Sequence, residues 1–183
     1  MGLGSAMAGG NPADGRQERD FYPSPPEITR AIIAAETFPG PIFEPACGDG
    51  AIAKEFEAAG YKVIASDIHP LGYGVKRDFF TVTRSLADTN ISIVTNPPFD
   101  LAARFIEHGL FLRPKKLALV LKATYFHAAS RRRLFEETNP AAIYPLTWRP
   151  DFLGKGRPTM DVIWVVWRRG HTGGTLYQPL KRP

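Results

Sequence analysis

Apolar residues in this chain recur in two periods that alternate from segment to segment. Over 27–37, Ile28, Ala31, Ile32 and Ala35 recur three and four apart, which predicts a helix with one buried stripe. Pro25 and Pro26 stand at its start, where proline is favoured, and Ser24 is placed to cap it. Pro41-Ile42-Phe43 reads as a short strand, 51–59 as a helix, and Tyr-Lys-Val-Ile-Ala-Ser over 61–66 as a second strand. Ile91, Ile93 and Val94 mark a buried strand that must stop at Pro97 and Pro98, because neither proline has an N–H to continue a ladder. Beyond Asp100 the pattern predicts a helix over 101–111, a strand over 117–121, a short helix over 134–138 and a strand over 161–167. Trp164 and Trp167 on that last strand read as core.

Strands alternating with helices predict an α/β fold: a Rossmann-like, mostly parallel sheet flanked by helices, with ligands at the carboxyl ends of the strands. The length of 183 residues suits one domain with a real core. That domain is placed at 20–183. Residues 1–19, rich in Gly and Ala without an apolar period, are set aside as a tail, and the closing Thr-Leu-Tyr-Gln-Pro-Leu-Lys-Arg-Pro reads as a surface tail.

Composition narrows the picture further. No apolar run reaches membrane-spanning length and the start lacks a basic-then-apolar leader, so the expected location is the cytoplasm, with no membrane partner. The single Cys47 excludes an internal disulfide framework, and histidines at 69, 108, 127 and 171 are too scattered for a metal cluster, so no metal is expected. The net charge of +5 is unevenly spread. Residues 1–100 carry 8 Lys/Arg against 13 Asp/Glu, whereas residues 101–183 carry 15 against 5. An acidic half before a basic half suggests a small-molecule site joined to a surface for a polyanion.

The first candidate site follows strand 41–43. Glu44-Pro45-Ala46-Cys47-Gly48-Asp49-Gly50 is a strand–glycine turn–helix arrangement that lets backbone approach a nucleotide-like ligand. It is not the dinucleotide fingerprint, since Ala53 stands where a third glycine would fall. Glu44 and Asp49 would repel a pyrophosphate and welcome a cationic ammonium and sulfonium. Asp67, 23 positions after Glu44, stands near the offset at which such folds place a carboxylate on ribose hydroxyls, and Ile68 follows as an apolar lid for an adenine ring.

The second candidate is Asn96-Pro97-Pro98-Phe99. Asn96 offers a side-chain carbonyl, Pro97 a backbone carbonyl on a stiff segment, and Phe99 a flat apolar face. Two acceptors beside an aromatic plate suit an exocyclic amine on a planar ring. Holding both amine hydrogens localises the nitrogen lone pair and makes the amine nucleophilic.

Asn96-Pro97-Pro98-Phe99 resembles the catalytic signature of S-adenosylmethionine-dependent amino-methyltransferases, above all those acting on N6 of adenine in DNA. Glu44 to Gly50 resembles the cofactor loop of the same class I methyltransferases. The resemblance covers about residues 20–170 and is similar to compact, phage-type enzymes. It implies S-adenosylmethionine as cofactor, with Tyr22, Ser24 and Pro25 covering its methionine part and Asp78 and Phe79 taking its adenine amine and ring. Cys47 is then a small loop residue rather than a nucleophile. The implied reaction is direct in-line transfer to a base flipped out of the helix.

On a nucleic-acid enzyme Arg131, Arg132 and Arg133 read as phosphate contacts, as do Arg149, Lys155 and Arg157 in the broken loop over 148–160, where Phe152 is placed to close over an extruded base. A catalytic core of this size leaves no room for a separate recognition domain. Specificity is then relaxed, confined to a few bases read by the 148–160 loop, or supplied by another subunit, so the expected partner is DNA, with room for a specificity subunit or a second copy. The same tetrapeptide also serves enzymes acting on ribosomal RNA or on protein glutamine, and a non-catalytic nucleic-acid-binding module on the same fold is the alternative from another class.

Overall fold

The computed structural model describes residues 22–83, 90–156, 158 and 160–183. The chain begins with helix α1 (Pro26–Ala35), which lays Ile28, Ala31 and Ile32 against the core. Strand β1 (Ile42–Glu44) leads through the glycine turn into helix α2 (Ala51–Ala58), and β2 (Val63–Asp67) and the two-residue β3 (Val75–Lys76) follow. The chain then returns to the far side of β1 as β4 (Ser92–Thr95). Helix α3 (Ala102–Phe111), β5 (Lys116–Lys122), the short helix α4 (Arg132–Glu137), β6 (Ala142–Pro145), β7 (Val162–Arg168) and β8 (Leu176–Tyr177) complete it.

Among the described residues these strands form one sheet in the order β3-β2-β1-β4-β5-β7-β6-β8. The first five are mutually parallel; β7 runs antiparallel between β5 and β6, and β8 is parallel to β6. The sheet is therefore mostly parallel with an antiparallel insertion, as expected for a Rossmann-like class I methyltransferase fold. Strand order reverses between β1 and β4, and in such sheets the crevice at that reversal is where ligands bind.

Period-two alternation divides the core. Along β5, Ala118 and Val120 face α1 and α2, joining Ile28, Phe56 and Trp164. Leu117, Leu119 and Leu121 face α3, joining Phe105, Ile106 and Val165. Trp164 and Trp167 are buried as the pattern requires, and each indole N–H reaches a backbone carbonyl, of Ile28 at 2.9 Å and of Thr138 at 2.5 Å.

Two expectations are corrected here. The closing segment is not a free surface tail: β8 pairs with β6 and Leu180 is buried, its N–H donating to the Pro145 carbonyl at 2.8 Å. Ser24 does not cap α1; Pro25 takes that position through its carbonyl, and no side chain caps the helix. No helix among the described residues is long and apolar enough to cross a membrane.

Candidate active site

Three strand ends converge on one cavity of about 650 Å³. β1 delivers Glu44, β2 delivers Asp67 and β4 delivers Asn96; the segment before α1 adds Tyr22 and Ser24. Its walls include all four residues of the Asn96–Phe99 turn and every expected cofactor residue except Pro25 and Gly50.

Pro25 serves α1. Gly50 serves the turn itself, with φ at 80°, and a Cβ there would lie 2.4 Å from the Tyr73 ring. The Tyr73 hydroxyl donates to Glu57 on α2 at 2.8 Å, so this ring straps the turn from outside.

Asp67 fixes the turn from the β2 side. Its carboxylate accepts the Gly48 N–H at 2.9 Å and the His69 N–H at 2.7 Å, one on each oxygen. Each oxygen keeps acceptor capacity for a hydroxyl. Asp49 accepts the Ala51 N–H at 3.1 Å, starting α2.

Glu44 is 2% exposed, and its Oε2 has no partner among the described residues. Burial pushes its carboxyl well above the ordinary range, and the nearby charges of Asp49 and Asp67 push the same way; the Ala53 N–H offsets part of this. A buried acid with an unpartnered oxygen beside two more acids suits a cation. Cys47 is buried too, its thiol pushed up to about 12 by desolvation and by Glu44 and Asp67, which keeps it protonated and poorly nucleophilic.

At the other end of the cavity, Asn96 Nδ2 donates to Ser24 Oγ at 3.1 Å, while Asn96 Oδ1 is buried and has no partner among the described residues. The Tyr22 and Phe99 rings stack at 6.5 Å between centroids with 30° between planes. Pro97 and the half-buried Phe99 line the same cavity as Asn96.

The adenine end is less as expected. Asp78 accepts the Phe80 N–H at 2.9 Å and so starts the turn Phe79–Thr81. Phe79 is 3% exposed and stacks on Phe105 at 4.9 Å, so most of its ring belongs to the α3 core. Its neighbour Phe80, with the Arg104 guanidinium 4.2 Å from its ring centroid, also lines the cavity, as does Leu71. Sequence reasoning missed these three. The doubled Phe79-Phe80 was the available signal, whereas nothing local tied Arg104 to it.

None of the expected nucleic-acid contacts among the described residues lines the cavity. Arg131 donates to the Tyr125 carbonyl at 2.6 Å and lies over that ring, a local structural contact. Arg132 and Arg133 are exposed and pair with Glu136 at 2.7 Å and Glu137 at 2.6 Å, one turn on along α4. Arg149 pairs with Asp161 at 2.7 Å, Lys155 is exposed, and Arg157 lies outside the described residues. Phe152 is corrected: it is 6% exposed and packs into the α1-side core, so its ring has no free face to offer a base. Among the described residues no group of acids, histidines and cysteine could hold a metal.

No family model matches this sequence, and no curated protein is similar to it in sequence. Its fold does have solved relatives. A protein described as a modification subunit of a type I restriction enzyme from Vibrio vulnificus YJ016 is 17% identical over 93% of this chain and 49% of its own, with a TM-score of 0.64. A class I S-adenosylmethionine-dependent methyltransferase from Listeria monocytogenes is 16% identical over 86% of this chain and 65% of its own, at 0.57. An RNA methyltransferase from Pyrococcus horikoshii is 14% identical over 77% and 79%, at 0.52. The chain spans about half the length of the type I subunit. At these identities the likeness establishes the fold.

Proposed function

We propose that this chain is an S-adenosylmethionine-dependent methyltransferase that methylates the N6 amine of adenine in DNA. The observation that carries the reading is Asn96: its Nδ2 donates to Ser24, its Oδ1 is buried and without a partner among the described residues, and Pro97 and Phe99 line the same cavity. An unsatisfied buried acceptor costs about 1–3 kcal/mol, which a bound donor would recover. A planar ring bearing an amine supplies that donor and stacks on Phe99.

The residues at the glycine turn fit the cofactor. Glu44, Asp49 and Asp67 supply the negative charge a sulfonium and ammonium need, and the orphan Glu44 oxygen supplies an acceptor. When bound, S-adenosylmethionine contributes an electrophilic methyl group. The protein's part is placement: Asp67 holds the glycine turn and retains lone pairs for hydroxyls, and Ile68 and Phe80 wall the purine side. Asn96 Oδ1 and the Pro97 carbonyl fix the amine hydrogens, directing the nitrogen lone pair out of the ring plane. The surplus proton leaves to solvent, since no residue at this end is a strong base. Positioning and polarisation supply the rate.

DNA is preferred on two grounds. The second half of the chain is strongly basic, and the type I subunit, a restriction-system protein, shares the fold over nearly all of this chain. The RNA methyltransferase on the same fold makes RNA the competing substrate. Labelled methyl transfer to duplex DNA, single-stranded DNA, ribosomal RNA and a protein extract, followed by nucleoside analysis, tests the reading. N6-methyladenine in DNA is expected; label confined to RNA or protein would overturn the substrate while keeping the chemistry.

A further inference from the structure

Lys122 ends β5 at its carboxyl end, one strand over from the β4 end that delivers Asn96. Its ammonium lies 4.9 Å from the centroid of the Phe99 ring. Among the described residues it makes no ion pair. Lys116, at the opposite end of the same strand, is paired with Glu36, and Arg132, Arg133 and Arg149 each hold an acid of their own.

The charges around the cavity are therefore divided. The acids Glu44, Asp49, Asp67 and Asp78 line it together with Arg104, whose guanidinium rests on Phe80, whereas Lys122, outside the cavity wall, is a half-buried cation on the Phe99 ring with no ion pair among the described residues. A lysine resting on a ring face is held weakly and gives up that contact readily to an anion. What arrives at Phe99 must then bring a planar ring and an anion together. A nucleotide within a strand does so, its base and its phosphodiester joined through one sugar. A glutamine side chain brings an amide and no charge.

We propose that Lys122 pairs with a phosphodiester flanking the nucleotide whose base stacks on Phe99, which makes it a substrate-positioning residue and the acceptor a nucleic-acid strand. The inference rests on the reaction proposed above and deepens it. Before the strand arrives, the ammonium covers the Phe99 face; on arrival it moves to the phosphate and leaves the ring to the base.

The test compares wild type with Lys122→Met, Lys122→Gln and Lys122→Arg on a short oligonucleotide carrying a single adenine, read by anisotropy across a salt series and by methyl transfer. Neutralising one phosphate contact lowers the slope of log affinity against log salt by about 0.7–0.9. Met and Gln variants are expected to show that loss and a roughly ten-fold rise in KM for the strand, with cofactor affinity unchanged and Arg restoring the slope. A neutral methylphosphonate beside the adenine should impose the same loss on wild type and none on Lys122→Met. Additive losses, or a Lys122→Gln protein with the wild-type slope and KM, would overturn the assignment even if DNA is methylated. A wild type that binds cofactor yet neither binds nor labels any nucleic acid would instead overturn the proposed function, and this inference with it.

Discussion

Asn96 donates its amide N–H to the hydroxyl of Ser24, 72 residues earlier, at 3.1 Å. In that arrangement Nδ2 is engaged and Oδ1 is the amide atom left without a partner among the described residues. With Nδ2 engaged, Oδ1 is the end left to accept from an amine. Ser24 thus acts on the reacting nitrogen through Asn96.

Removing each partner should have a different effect. Asn96→Ala is expected to lower kcat by about 10²–10³-fold, the range for deleting a preorganised polar group, while cofactor binding persists. Ser24→Ala should lower kcat by roughly ten-fold, the scale of one hydrogen bond, and lower it more than it lowers cofactor affinity; Ser24→Thr should recover most of the loss. Steady-state rates and calorimetric titration of the cofactor decide. A parallel loss of both quantities in Asn96→Ala would make Asn96 a structural residue.

Glu44 predicts a pH dependence. Burial, then Asp49 and Asp67, raise its carboxyl well above the usual range, so the folded chain binds this proton more tightly than the unfolded chain. Its stabilisation is complete below the ordinary carboxylate pKa of about 4.3 and is lost as pH climbs toward the folded value. The melting temperature of the cofactor-free protein should therefore decline across that window, and Glu44→Gln should flatten this part of the decline. A bound cation favours the ionised form, so cofactor affinity should rise over the same window in wild type and stay level in the variant. Melting curves with and without S-adenosylmethionine check both signs. Identical pH profiles for the two proteins would remove Glu44 from the cationic subsite.

The features legible in the sequence were those fixed by a few adjacent residues. The Glu44–Gly50 turn and the Asn96–Phe99 turn each carry their own stiff or permissive backbone, and the strands leading into them are short and buried, so their placement at one cavity followed from the fold class. What escaped depends on partners far along the chain. Ser24 has the composition of a helix cap and is used instead by Asn96, and Arg104 meets Phe80 only because α3 packs beside the Asp78 turn. β8 is two residues long with side chains 44% and 67% exposed, too short for a period and held by pairing with β6 and by bonds to the segment before it.

Glu36 anchors the end of the sheet opposite the site. It is buried and accepts the Tyr144 hydroxyl at 2.6 Å together with Lys116 and Arg168. Burial alone would raise its carboxyl, but the hydrogen bonds from Lys116, Tyr144 and Arg168 outweigh that and hold it below the ordinary range. Glu36→Ala leaves two cations and a phenol facing one another in a partly buried place, a change expected to cost about 3–5 kcal/mol. Because the group's folded pKa is depressed, its contribution is present above the ordinary carboxylate pKa and is lost as pH falls toward the folded value. Urea midpoints should show the wild-type advantage shrinking in acid, and a variant as stable as wild type at neutral pH would make the cluster dispensable.

Phe152 separates a core role from a recognition role. The loop over 148–160 is basic and broken by glycine and proline, the setting in which an aromatic side chain reads as a cover for an extruded base. The chain uses it otherwise: Asp151 accepts the Leu153 N–H at 3.2 Å and the Gly156 N–H at 2.5 Å, curling the loop, and Phe152 turns inward onto the α1-side core. Truncating a buried phenylalanine costs about 3–5 kcal/mol, with the lower end fitting a residue near a loop. Phe152→Ala should therefore lower the urea midpoint markedly, while the folded fraction binds and methylates DNA with nearly unchanged KM. Phe152→Leu, which keeps most of the volume, should recover most of the stability. If Phe152→Ala instead left the midpoint in place and raised KM for DNA, the ring would belong to the substrate and the loop would have to open to present it.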